Sequence, residues 1–308
     1  MSIIRAEDVA YVRFRAPDIA AMRAFLTDFG LAETEGPRQA LYMRGSGAGP
    51  VLHVTEPGEP GFAGVAFKAA SLADLETLAK AEGVAIVPSG LPGGGQLVRL
   101  TDPDGFTVEV IAGQTPAQPL PCDARAAWND AAARPRLSAT KRVPAGPAHV
   151  LRLGHVVLNV SDFRASERWY KDRLGFITSD EIEVAPGFSL GAFMRCDRGD
   201  TPTDHHTLFL AQSPKGPGFN HAAFEVRDFD DLMTGHEHLR ARGATQEWGV
   251  GRHILGSQVF DYWRDPWGHA VEHWTDGDLF TAATAPNTVG LPELMGVQWG
   301  PSAPPTMA

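Results

Sequence analysis

Arg264-Asp-Pro-Trp-Gly-His-Ala-Val-Glu272 repeats a pattern already present as Thr101-Asp-Pro-Asp-Gly-Phe-Thr-Val-Glu109. In both copies Asp-Pro-x-Gly supplies turn chemistry between two strand-like runs, and Glu272 falls on Glu109. Two further anchors extend the match. Asp18 and Asp162 each precede a helical pattern, which sets Tyr11 against His155. Phe67 and Phe224 sit in matching apolar runs, which sets Gly64 against His221. The halves therefore share one framework, yet the first copy has tyrosine and glycine where the second has histidines. Glu109 alone cannot hold a divalent metal. His155, His221 and Glu272 together offer two imidazoles and a carboxylate from three separate strand-like segments.

Outward from these anchors the chain resolves into four units. Val9 to Arg15 alternates as a strand, Pro17-Asp18 breaks it, and Ile19, Met22, Phe25, Leu26 and Phe29 recur at helical spacing before Gly30. Short strands at 41–43 and 51–54 complete the first unit. The second runs from a strand at 64–68 through a helix at 71–81, stopped by Gly83, to strands at 97–100 and 106–111. The third has a strand at 154–160, a helix capped by Ser161-Asp162 and ended by Gly175, then strands at 193–195 and 206–210. The fourth has a strand at 219–226, a helix at 230–242 and strands at 259–263 and 269–274. This is an α+β pattern in which each pair of units curls a sheet around a cavity. The expected division is an N-terminal domain at 1–113, a linker at 114–149, a C-terminal domain at 150–280 and a tail at 281–308. The linker is rich in Ala, Pro and Arg, with a helix expected over 124–133. The Pro- and Gly-rich tail is expected to lie on the surface or fray.

Bulk properties narrow the function. The 308 residues suffice for two ordinary domains, and a net charge of -10 argues against a nucleic-acid partner. Apolar runs are strand-length, which argues against a membrane span. The opening Met-Ser-Ile-Ile-Arg has no apolar leader, and two cysteines suit a reducing compartment, so a cytoplasmic location is expected.

Ten of the eleven histidines lie between His149 and His273, so the chemistry is expected in the C-terminal half. Two imidazoles and one carboxylate leave Fe(II) with a single positive charge and three open positions. The run Gly251-Arg-His-Ile-Leu-Gly-Ser-Gln-Val-Phe-Asp-Tyr-Trp-Arg-Asp-Pro-Trp-Gly-His-Ala-Val-Glu272 then carries a family resemblance. It resembles the type I extradiol ring-cleavage dioxygenases (catechol 2,3-dioxygenase-like) of the vicinal oxygen chelate, or glyoxalase/bleomycin resistance, superfamily. That signature is a histidine, a tyrosine, two residues, Asp-Pro-x-Gly and the ligand glutamate. The resemblance spans about residues 8 to 275. It implies four βαβββ modules forming two tandem vicinal-oxygen-chelate domains, with Fe(II) held by His155, His221 and Glu272 in the second. It assigns catalytic roles to His206, as the acid–base group, and to His253 and Tyr262, as donors to the substrate oxygens. The implied partners are a small aromatic diol and O2, in a homo-oligomer, with ring opening next to the diol and both oxygen atoms retained. The chain departs from the signature in placing Asp261 before Tyr262, which leaves the substrate subgroup open.

Strand alternation sets the expectations for the surroundings. It groups His206 with Leu208 and Leu210 on one face and turns His205 to the other, as a structural residue or one that supports the site from behind. His236 and His238 are expected in solvent, and His269 and His273 in structural or interface roles. Asp261, Phe188 and Phe193 are assigned to the substrate pocket, with Trp263 and Trp267 either as further walls or as core filler. A substituted or trihydroxylated single ring, or a bicyclic diol, fits those groups. The rival readings are a glyoxalase-like isomerase or thiol transferase of the same superfamily, and a non-catalytic binder of small aromatics. The first needs a different ligand distribution and the second no triad. Retained iron with oxygen uptake on catechols separates them.

Overall fold

In both halves a long central strand is flanked by one parallel and one antiparallel neighbour, and this fixes where the site can form. The computed structural model describes residues 2–37, 39–122 and 127–306. Ala6–Ala16 lies between His53–Pro57, parallel, and Gly61–Ala69, antiparallel, and the latter pairs in parallel with Thr107–Ala112. Val150–Val160 lies likewise between Leu208–Gln212 and Gly218–Val226, and the latter pairs in parallel with Ala270–Thr275. The registers coincide as well. Tyr11 pairs with Ala66, which pairs with Glu109; His155 pairs with Ala223, which pairs with Glu272. The internal repeat read from the Asp-Pro-x-Gly turns is thus a repeat of hydrogen-bonded register. Among the described residues the main sheets of the two halves hold eight and ten strands, and a two-stranded ribbon pairs Thr203–Asp204 with Leu279–Phe280.

Helices pack on the outer faces and end where their caps dictate. Ile19–Asp28 begins at Asp18, whose carboxylate accepts from the amides of Ala20 and Ala21. Phe163–Leu174 begins at Asp162, bonded to the amide of Ala165, and stops at Gly175 in the left-handed region. Each central strand splits its side chains by parity. Val156, Leu158 and Val160 join a core shared by both halves, while His155, Val157 and Asn159 face the cavity. The seam between the halves is specific. Tyr170 Oη donates to Asp102 of the first turn at 3.0 Å, and His273 Nε2 donates to the carbonyl of Phe29 at 2.7 Å. Among the described residues no helix is long and apolar enough to cross a membrane.

Two expectations fail here. Of the linker helix, Ala124, Arg125 and Ala126 lie outside the described residues, and 127–133 is not helical. Asp130 Oδ1 instead accepts from the amides of Ala132 and Ala133, closing a turn that competes with a helix. The tail does not simply lie on the surface or fray. Asn287–Val289 pairs in parallel with Phe176–Ala185, and Val297–Trp299 pairs antiparallel with Thr245–His253. Those two strands are the opposite edges of the C-terminal sheet, and the short helix Leu291–Met295 bridges them. Edge pairing uses backbone groups, which is why a Pro- and Gly-rich composition concealed it.

Candidate metal centre

Three adjacent strands bring the donors to one face. On Gly218–Val226, His221 and Ala223 share a face by their spacing of two. Ala223 pairs with His155 on one side and Glu272 on the other, so those two side chains meet across a methyl group. His155 Nε2 lies 3.3 Å and His221 Nε2 3.4 Å from Glu272 Oε2, and all three donor atoms lie within 4.8 Å of one another. Gly154 makes room beside His155: a Cβ there would stand 2.5 Å from the Trp274 ring.

The donors fit a divalent cation. Glu272 is fully buried, and neither of its carboxylate oxygens has a hydrogen-bond partner. An unpaired buried carboxylate costs several kcal/mol, on the order estimated for charges without a partner. Burial pushes Glu272 up to about 7, with His253 at 3.9 Å and the neighbouring Tyr262 hydroxyl pulling the other way. Burial also drives His155 down to about 3 and His221 well below the usual imidazole range, so both are neutral. The Nδ1 of His221 meets Asn220 Oδ1 at 2.9 Å, which leaves Nε2 as the ligand nitrogen.

The equivalent place in the N-terminal half is closed by protein cations. Tyr11 Oη donates to Glu109 Oε2 at 2.6 Å, Arg13 Nε to the same oxygen at 2.8 Å, and Arg99 Nε to Oε1 at 2.7 Å. Burial raises Glu109, but Arg13 and the hydrogen bonds outweigh it and hold the carboxyl below its ordinary range. Gly64 offers no ligand where His221 stands. Two equivalent glutamates are thus neutralised in different ways, one by guanidinium groups and one left for a metal.

A cavity of about 360 Å³ opens over the triad. His206, His253, Tyr262 and Phe193 line it together with His155 and His221. His253 Nε2 and Tyr262 Oη are 3.0 Å apart, and the His206 ring lies 4.0 Å from that of His155. Burial, then His155 and His205, lowers His206 well below the usual range. The cavity also takes in Trp248, Phe209, Leu255 and, from the tail, Leu291, Leu294 and Met295, none of which the sequence reading named. Parity could have offered Phe209; nothing in the sequence marked the tail.

Several expected positions are corrected. Asp261 does not face the cavity. Alternation along Val259–Arg264 turns Tyr262 inward and Asp261 outward, where its carboxylate meets His236 Nδ1 at 3.1 Å, Gln246 Nε2 at 3.0 Å and Trp263 Nε1 at 2.6 Å. His236 is therefore buried and paired, not solvated, and His238 contacts Asp28 at 2.9 Å. Phe188, at a strand end, is 52% exposed; of the two alternatives for the tryptophans the core one holds, with Trp263 buried and the half-buried Trp267 packed against the core. His206 does not share a face with Leu208 and Leu210. The strand begins only at Leu208, so the backbone at 205–207 is irregular, and His206 lines the cavity with Phe209 and Ala211. His205 is not turned away either: its ring meets that of His206.

Residues 152–273 match the Glyoxalase/Bleomycin resistance protein/Dioxygenase superfamily. Metapyrocatechase 2 of Cupriavidus necator is 28% identical over 298 residues, 96% of this chain and 89% of that protein. An iron-dependent extradiol dioxygenase of Rhodococcus jostii is 28% identical over 289 residues, 87% of this chain and 89% of that protein. In fold, a homoprotocatechuate 2,3-dioxygenase from Brevibacterium fuscum superposes with a TM-score of 0.79 at 20% identity, covering 99% of this chain and 92% of that one. A Mn(II)-bound glyoxalase from Novosphingobium aromaticivorans does so at 0.78 and 23% identity, covering 99% and 94%.

Proposed function

We propose that the chain is a type I extradiol dioxygenase of the glyoxalase/bleomycin resistance superfamily, and that its residues divide the work of opening a catechol-type ring as follows. The observation that carries the reading is Glu272, a fully buried carboxylate whose Oε2 faces two neutral imidazoles at 3.3 and 3.4 Å. Fe(II) held by His155, His221 and Glu272 would bind the diol and O2 side by side and let electrons pass between them. His206 takes the proton of one substrate hydroxyl and later returns it where the O–O bond breaks, to the oxygen that separates from the one kept on the ring carbon. His253 and Tyr262 hold the diol oxygens in place as donors. Phe193, Phe209 and Trp248 wall the ring and keep bulk water from it. The N-terminal half acts as scaffold.

Asp261, the one carboxylate expected in the substrate pocket, faces away from the cavity and offers nothing to a polar ring substituent. Ile182, Leu190, Phe209, Leu255 and Leu294 line the same cavity, and this apolar group favours an apolar substituent. The names of two relatives, both biphenyl-2,3-diol 1,2-dioxygenases, agree with that preference. A cytoplasmic location and a homo-oligomeric state complete the reading, the first supported by two cysteines in 308 residues.

The test is a pair of variants. His221→Ala is expected to lose stoichiometric iron and ring cleavage together. His206→Asn is expected to keep iron and bind catechol but turn over about 10²–10⁴-fold more slowly. Wild-type-like activity in His221→Ala would sink the metal assignment, and loss of iron from His206→Asn would make His206 a ligand.

A further inference from the structure

Behind His206 lies a buried chain of polar groups that the ring-opening chemistry above does not use. His205 Nδ1 is 3.0 Å from His206 Nδ1, and His205 Nε2 is 2.5 Å from Asp180 Oδ2. All three side chains are buried, at 1%, 3% and 7% exposure for His205, His206 and Asp180. The fold goes to some length to make this row. Asp180 follows a β-bulge at Ser179, where Thr178 pairs with Met194 but Asp180 pairs with Phe193, so Asp180 shares the cavity-side face with Phe193. Ser179 Oγ donates to the carbonyl of His205 at 2.5 Å and is itself held by Arg195 Nη1 at 2.9 Å. The His205 ring is seated between Phe193 and Phe280. Gly256, with φ +77°, leaves the last space: a Cβ there would stand 3.1 Å from His205 Nδ1.

We infer that Asp180 and His205 are positioning residues that hold His206 in one tautomer, with Nε2 bare toward the substrate. The inference rests on the acid–base reading of His206. An ionised carboxylate can only accept, so Asp180 requires the proton of His205 on Nε2. Neutral His205 then has its lone pair on Nδ1 and accepts from His206 Nδ1–H. The one nitrogen left to His206 is Nε2, without a proton, on a residue that lines the cavity. When the substrate O–H bond breaks, its proton forms the Nε2–H bond of His206. The resulting imidazolium donates through Nδ1 toward a neutral imidazole backed by a carboxylate. No proton need leave the row, and the same proton can go back. This is the logic by which a buried carboxylate fixes a catalytic imidazole, extended by one ring.

Histidine side-chain NMR of the full chain, loaded with diamagnetic Zn(II) and assigned with His206→Asn, reads the tautomers directly. His205 is expected to be protonated on Nε2 and His206 on Nδ1. Asp180→Leu is expected to abolish that preference at His206, and Asp180→Asn, which keeps an accepting oxygen, to retain part of it. In the iron enzyme, Asp180→Leu and His205→Phe should each lower kcat by ~10–100-fold with iron content and KM little changed. Neither should slow His206→Asn further. Wild-type His206 protonated on Nε2, or a tautomer indifferent to Asp180→Leu, overturns the relay while leaving the acid–base reading intact. Normal turnover in His206→Asn overturns that reading and with it the purpose of the row. Should Asp180→Leu not fold, the wild-type and Asp180→Asn spectra still decide.

Discussion

Glu109 and Glu272 occupy the same register position in the two halves, and their neighbours decide their chemistry. Arg13 and Arg99 neutralise the first; the second has none and is held up to about 7 by burial. Glu109→Gln should therefore leave iron at one per chain and turnover nearly unchanged. Two tightly held irons, one of them lost in that variant, would contradict this. The same contrast sets a pH dependence. In the metal-free protein Glu272 is protonated below about 7, while His155 stays neutral down to about 3. Metal uptake below pH 7 must displace the Glu272 proton, so affinity should fall about tenfold per pH unit there and level off above it. Equal Zn(II) affinities at pH 6 and pH 8, by competition with a chelator, would refute the assignment of that carboxyl. At this scale the triad was legible because a repeat compares the chain with itself. Strand parity also placed Asp261 opposite to Tyr262, against its assignment to the pocket, but its partners His236, Gln246 and Trp263 were not legible, since they lie on other elements or share no motif with it.

Elements with strong periodicity and caps were legible: Asp18, Ser71 and Asp162 each begin a helix whose side-chain cap bond is present. Parity failed where an element began later than its apolar run suggested. The irregular backbone at 205–207 puts both histidines inside, and alternation cannot foresee such a break. The tail was illegible for a different reason, because its strands are three residues each and pair through backbone alone. Its helix carries Leu291, Leu294 and Met295 over the cavity. Deleting residues 286–308 should raise KM for an apolar-substituted catechol about tenfold, on the order of burying half a leucine-sized side chain, while iron stays bound. An unchanged KM would reduce the tail to an edge cover.

Over the whole molecule, many histidines are buried neutral. Burial depresses His53 to about 4, His253 to about 4 and His155 to about 3, and lowers His206, His221 and His273. Each has a folded pKa below its unfolded one, so its contribution is intact above about 6.5 and is lost as pH falls toward 4. Glu272, raised, acts in the opposite sense and offsets about one of them. The metal-free protein should accordingly lose stability between pH 6.5 and 4, and His53 alone represents about 3 kcal/mol. A urea midpoint that stays flat from pH 7 to 5 would contradict this. The α+β repeat and the half that carries the metal were readable from anchors spaced through the chain. The seam between the halves was not, because contacts such as His273 with the Phe29 carbonyl join residues distant in sequence that share no motif. The central claim meets its most direct test in the product formed when the iron-loaded protein, free of external reductant, is given an apolar-substituted catechol and O2. The account predicts oxygen uptake equal to catechol consumed and a ring-opened acid heavier by one whole dioxygen molecule. An intact ring, whether unchanged or oxidised to a quinone, from protein holding one iron per chain would contradict it.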